Sequence, residues 1–201
     1  MANKQTVWTL KRVLPWLLFI TGAIALIASI MLATEVFQHL KKPVYVPVCN
    51  LNPIFSCTSV ADSAQAHAFG FPNYFIGIAG YAVVATVGAA MLAGAQFKRW
   101  FWQLFNVGML FAVGFLTWLQ FQTLYRIGAL CLFCMITWLV TIPAFCYTSL
   151  YNLREGNVKT PKRLSRAVAF VQRHHADILV TWFLIIIVLI LKRFWYYFGN
   201  L

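Results

Sequence analysis

CLFCMITWLVTIPAFCYTSL, residues 131–150, carries twenty residues without one charge. About 20 helical residues cross the ~30 Å hydrocarbon core of a bilayer. In lipid the backbone polar groups must be paired within the segment, so this stretch is a membrane-spanning helix. Working outward, four more runs have the same character, near Leu14–Ala33, Asn73–Ala95, Phe101–Leu124 and Ile178–Phe194. The composition agrees. The 201-residue chain is 62% hydrophobic and only 10% charged, where a soluble domain has about a quarter of its residues charged. The expected fold is therefore an all-α integral membrane protein with five spanning helices.

The net charge of +12 does not indicate nucleic acid, because the basic residues punctuate apolar runs and form no single patch. Their placement instead sets an orientation. With the N-terminus inside, eleven of the 16 lysines and arginines fall in inner segments and five in outer ones. The positive-inside rule then puts the N-terminus in the cytoplasm and the C-terminus outside. The first run follows Lys4, Lys11 and Arg12, as a signal peptide would. Its apolar stretch is longer than such a region, and no small-x-small cleavage site follows, so it reads as an uncleaved first helix.

The quoted run opens with Cys131-x-x-Cys134. A second pair, Cys49 and Cys57, lies in the polar segment 34–72. Both pairs fall on the outer side, where disulfides persist. Cys131 begins a helix, where unpaired N–H groups and the helix dipole favour a thiolate. Cys134 is one turn deeper, toward hydrocarbon. Two dithiol pairs beside an apolar medium suggest a path for electrons, since thiol–disulfide exchange moves two at a time. Inert buried cysteines, a structural disulfide at Cys49–Cys57, or a four-cysteine zinc site are the alternatives. Zinc is disfavoured by the ligand spacing and by the half-submerged helix pair. Cys146 is an odd cysteine near the inner end of its helix.

Segment 34–72 contains Pro43, Pro47, Pro53 and Pro72, which interrupt regular helix. Its Ala-rich part, around Ser59–Phe69, can form a short helix, and Asp62 can cap it. His39, His67, His174 and His175 form no metal pattern, so no metal site is expected. Glu35 and Asp62 have no partner carboxylate for paired acid–base work. There is no nucleotide-binding or serine-hydrolase motif. Segment 152–177 is basic and carries Val168, Phe170 and Val171; it is either an ordinary loop or a stretch lying on the inner membrane surface. Gly77, Gly80 and Gly88, with Gly22, Ala25 and Ser29, suit close helix packing in lipid.

Cys49-x7-Cys57, Ser63, Phe69-Gly70, Asn73 and Cys131-x-x-Cys134, with the apolar runs in matching order, resemble the vitamin K epoxide reductase family in its bacterial form. The resemblance covers roughly residues 10–150. It implies a four-helix transmembrane bundle around a quinone, capped by a periplasmic half-helix. Residues 1–151 would be the catalytic domain, 152–177 a cytoplasmic loop, and 178–201 the fifth helix with a short outer tail. It implies that Cys49 meets a partner's thiol, that Cys57 passes electrons to Cys131, and that Cys134 faces the quinone. Ser63 and Asn73 stand at the family's hydroxyl and quinone-contacting amide positions. The chain departs from vertebrate members at Trp138, where they have tyrosine, which favours a plain quinone over vitamin K epoxide.

The implied activity is that of an inner-membrane thiol–disulfide oxidoreductase. It would reoxidise a separate periplasmic thioredoxin-fold (DsbA-like) protein and reduce ubiquinone or menaquinone, supporting disulfide formation. A DsbB-type oxidase would do the same work, but there the Cys-x-x-Cys lies in the first outer loop, whereas here it comes second. A small transporter or a scaffold with structural disulfides is a reading of another class. Against transport, no charged residue is embedded in mid-helix.

Overall fold

The computed structural model describes residues 4–42, 44–52, 54–158 and 165–198. Pro43, Pro53, Lys159, Lys162, Arg163 and Leu201, which figure in the reading above, lie outside them. The helices are α1 (Lys4–Lys41), α2 (Cys57–Ala61), α3 (Tyr74–Leu92), α4 (Arg99–Gln122), α5 (Leu132–Arg154), α6 (Ser165–Arg173), α7 (His175–Arg193) and α8 (Trp195–Phe198). A 3₁₀ turn at Ala64–His67 follows α2, and α4 continues as a π-helical turn, Thr123–Ile127. Five helical stretches are long and apolar enough to cross a membrane, at Leu10–Lys41, Tyr74–Leu92, Arg99–Ile127, Leu132–Arg154 and His175–Arg193. The protein is a multi-pass, all-helical membrane protein.

Every expected span is present, and the first is longer than its apolar run. No Gly or Pro stops α1 between Ala33 and Lys41. His39 and Lys41 lie in its last turn, where a cation suits the helix dipole. The extension carries Glu35 clear of the apolar core, to a place where its carboxylate is useful.

Helix α1 is the hub, packed against α3 and α5, while α4 packs mainly on α5. The small residues make the α1–α3 approach possible. A Cβ on Gly22 would meet the backbone of Ala85, and one on Gly88 would meet the backbone of Phe19 and Leu18. A Cβ on Gly77 would come within 2.8 Å of the Ser29 hydroxyl. Such contacts gain van der Waals packing, which lipid-embedded helices need because their surroundings are already apolar. At one end, Leu14, Leu18, Trp102, Phe105 and Ala144 form a buried cluster. The same end is tied by the Lys11–Glu155 ion pair at 2.8 Å. Interhelical polar bonds add order: Ser149 to Asn106 at 3.0 Å and Tyr81 to Thr141 at 2.8 Å. The cysteine pairs sit at the opposite end.

The basic segment contains helix α6, whose Phe170 ring contacts His174 and is otherwise exposed. Helix α7 buries none of its own side chains. It touches the bundle only sparingly, near α5 and the π-helical turn.

Candidate functional site

Cys49 and Cys57 are joined as a disulfide with Cα atoms 5.7 Å apart. Cys131 and Cys134 are free thiols. All four meet in one apolar cluster with Ala28, Phe133 and Leu32. Cys49, Cys57 and Cys131 are each only 1% exposed, so the two pairs face one another in a dry setting. Cys146 lies apart, near the other end of α5.

Two backbone devices bring the pairs together. The Leu130 N–H donates to the Ile54 carbonyl at 2.7 Å, and the Ser56 N–H donates to the Leu130 carbonyl at 3.0 Å. Phe55 and Leu130 thus form a short parallel bridge. It straps the Cys49–Cys57 loop to the residue preceding Cys131. The chain reaches that point through Gly128, whose φ of 73° follows the π-helical turn and suits glycine.

Cys131 is the N-cap of α5, with extended backbone. The Cys134 N–H donates to its sulfur at 3.4 Å. Helix-start N–H groups stabilise the thiolate that exchange requires.

On α1, Glu35 is buried at 9% exposure. One of its carboxylate oxygens accepts from the Tyr45 hydroxyl and from the Val48 N–H, each at 2.9 Å. Those bonds pin the segment leading into Cys49. The Tyr45 hydroxyl is raised above its ordinary pKa, first by its bond to Glu35. His39 adds a bond to the Tyr45 carbonyl at 2.8 Å. The outer face of this segment shows Val44, Val46, Val48 and Leu51 to the surroundings.

A cavity of about 490 Å³ adjoins the cysteines. Cys57, Cys131 and Cys134 line it at one end, with Ser63 and Asn73 from the cap and Tyr81, Thr137 and Trp138 from α3 and α5. Its far walls are Val83, Leu104 and Phe111, which are also exposed on the outside of the bundle. The cavity therefore opens sideways between α3 and α4, toward lipid. Phe69 of the cap packs on Phe115 and Phe111, with ring centroids 5.3 and 6.4 Å away.

The cap is held by its own polar groups. Ser56, not Asp62, caps the start of α2; Asp62 sits at its other end. Ser63 caps the 3₁₀ turn, donating to the Val60 carbonyl at 2.6 Å and accepting from the Ala66 N–H at 3.3 Å. Its proton is thus committed. Asn73 occupies the N-cap position of α3 without capping it by its side chain. Its amide N–H donates to the Gln65 carbonyl at 2.7 Å, leaving Oδ1 buried with no partner. The Trp138 indole N–H is likewise buried and unpartnered. Buried polar groups are nearly always hydrogen-bonded; Gln120 Nε2 and Thr148 Oγ1, which do not line the cavity, are also without partners.

The family model described as the vitamin K epoxide reductase family matches residues 16–149. The chain belongs to that family. No curated protein matches it. The family match spans α1 to α5 and includes both cysteine pairs and all the cavity residues just named. This is an oxidoreductase family, and its match suggests a membrane disulfide oxidoreductase, in keeping with the disulfide and facing dithiol. Among the described residues no cluster of His, Cys, Asp and Glu could hold a metal.

The sequence singled out Cys49, Cys57, Cys131, Cys134, Ser63 and Asn73; all but Cys49 line the cavity, and Cys49 is tied to it through its disulfide to Cys57. It missed three participants in the geometry. Trp138 was noticed only as a departure from tyrosine, Tyr81 not at all, and Glu35 only as an acid lacking a carboxylate partner. A lone acid just beyond an apolar run is the signal that would have marked Glu35.

Proposed function

We propose that this protein oxidises a separate periplasmic thioredoxin-fold protein and delivers the electrons to a membrane quinone, ubiquinone or menaquinone. Its cysteine end faces the periplasm and its N-terminus the cytoplasm. The observation that carries the reading is the meeting of two cysteine pairs in one dry cluster, beside a cavity open to lipid. Members of the family generally work with a thioredoxin-like partner and a quinone.

The steps balance as follows. The partner's thiolate attacks Cys49, and the Cys49–Cys57 bond breaks with Cys57 leaving. The partner's second thiol resolves the mixed disulfide, so the partner leaves oxidised and the loop holds two thiols. Cys57 then attacks Cys131 of a Cys131–Cys134 disulfide, releasing Cys134 as thiolate at the cavity. Cys49 displaces Cys131 and restores the loop disulfide. The dithiol Cys131/Cys134 closes to a disulfide, and its two electrons and two protons convert the quinone to quinol. Cys49–Cys57 oxidised with Cys131 and Cys134 reduced is the state just before this last step.

Asn73 suits both forms of the acceptor. The second hydrogen of its amide nitrogen can donate to a quinone oxygen, and Oδ1 can accept from a quinol hydroxyl. The Trp138 N–H is a second donor. The buried Cys49 requires that the segment pinned by Glu35 shift when the partner arrives, and its apolar outer face suits an apolar partner surface.

Complementation of an oxidase-deficient strain by single Cys→Ala variants tests the proposal. Cys49, Cys57, Cys131 and Cys134 are each expected to be required, and Cys146 to be dispensable. Full activity of Cys131→Ala or Cys134→Ala would sink it. Reporter fusions at the two termini check the orientation.

A further inference from the structure

Helix α7 buries none of its side chains, yet the residue that follows it is 0% exposed. Phe194 lies in a buried cluster with Ile54, Leu124, Leu130 and Trp138. Beside it, the Arg193 Nε–H donates to the Leu124 carbonyl at 2.7 Å, a group in the π-helical turn at the end of α4. Two members of this cluster are the pair joined by the 2.7 Å bond from Leu130 N–H to Ile54 C=O. Ile54 is inside the disulfide loop, and Leu130 precedes Cys131. The family match ends at residue 149 and does not reach this contact.

We propose that Phe194, held in place by Arg193, is a positioning residue for disulfide exchange, fixing the Cys49–Cys57 loop against Cys131 from outside the four-helix unit. This rests on the relay proposed above. Attack of a thiolate on a disulfide needs the incoming sulfur aligned with the bond it breaks, and misplacement by about 1 Å can cost a reaction up to ~100-fold. A ring fully buried just past the end of α7, where Leu189 and Ile190 pack on the same cluster, is placed to hold that alignment. It adds little to the bundle's general packing.

The test uses the full chain with Cys134→Ala. There the Cys131 thiolate attacks the Cys57 sulfur, the Cys49–Cys57 bond breaks, the Cys57–Cys131 bond forms, and Cys49 leaves as thiolate. No outside oxidant is needed. Acid quenching and peptide mapping follow the bridge over time. Adding Phe194→Ala is expected to slow bridge formation about tenfold, and Phe194→Leu to recover most of the rate. Arg193→Gln, which leaves the apolar cluster whole, should give an intermediate loss. Reduction of the loop disulfide by dithiothreitol should be unchanged or faster in the same variants. Bridge formation at the parent rate in Phe194→Ala would overturn the inference while leaving the relay standing. A parent Cys134→Ala protein that forms no Cys57–Cys131 bridge would overturn the relay and this inference with it. If Phe194→Ala does not fold, the Arg193→Gln rate decides in the same way.

Discussion

Replacing Asn73 by alanine should slow quinone reduction and loosen the cap, by separable amounts. The amide does two jobs. Its N–H to the Gln65 carbonyl at 2.7 Å ties the 3₁₀ turn to the start of α3, and the residue lines the cavity. Losing the tether leaves a carbonyl without its donor, a cost of about 1 kcal/mol at a half-buried site. That should appear as a lower unfolding midpoint in detergent. For the chemical step, a hydrogen bond to a neutral quinone oxygen contributes about 0.5–1.5 kcal/mol, and one to a charged oxygen about 1.5–3 kcal/mol. Only the difference, about 1–1.5 kcal/mol, accelerates reduction. At a factor of ten per ~1.4 kcal/mol, the rate should fall about 5- to 12-fold. Single-turnover bleaching of quinone by pre-reduced protein measures it, and thiol exchange with a thioredoxin-fold substrate serves as the control. Unchanged quinone kinetics beside a lower melting midpoint would refute the reasoning and leave Asn73 as a tie for the cap alone.

Gly88→Ala should destabilise the protein by about 1–3 kcal/mol, the usual cost of overpacking, because its Cβ would fall on the backbone of Phe19. Gly114→Ala, with nothing within 4 Å, should be neutral or slightly stabilising; equal melting midpoints for the two would contradict the close α1–α3 approach.

The fold was legible because lipid imposes a simple constraint. A span must be long, apolar and helical, and each of those properties is local in sequence. The ends were less legible, since helix termini depend on polar contacts made at a distance. Local sequence permits α1 to run on to Lys41, with no Gly or Pro after Ala33 and a basic last turn; Glu35 adds bonds to Tyr45 and Val48 that no local pattern announces. Likewise Asp62 was a reasonable cap by residue type. Ser56 takes that role because the bridge to Leu130 delivers it to the start of α2 in extended conformation.

The site was half legible for a similar reason. Cysteine spacing is a covalent signature that survives without a structure, so the four sulfurs stood out. Their mutual placement depends on a single backbone bridge between residues 54–56 and 130, which no periodicity announces. The polar orphans, Asn73 Oδ1 and the Trp138 N–H, are visible only once the neighbours that fail to satisfy them are known. A buried donor and a buried acceptor left open on one apolar wall are costly in the absence of a ligand. Gln120 Nε2 and Thr148 Oγ1 bear a similar cost away from the cavity, so it is the cavity beside Cys134 that gives Asn73 and Trp138 their interest. An acceptor that enters from lipid through the α3–α4 opening would relieve both groups and meet Cys134 in the same position. The lateral opening, the orphan pair and the place of Cys134 on the cavity are separate features. Under the proposed function they suit one ligand, apolar enough to arrive through lipid and carrying oxygen that can gain and lose protons.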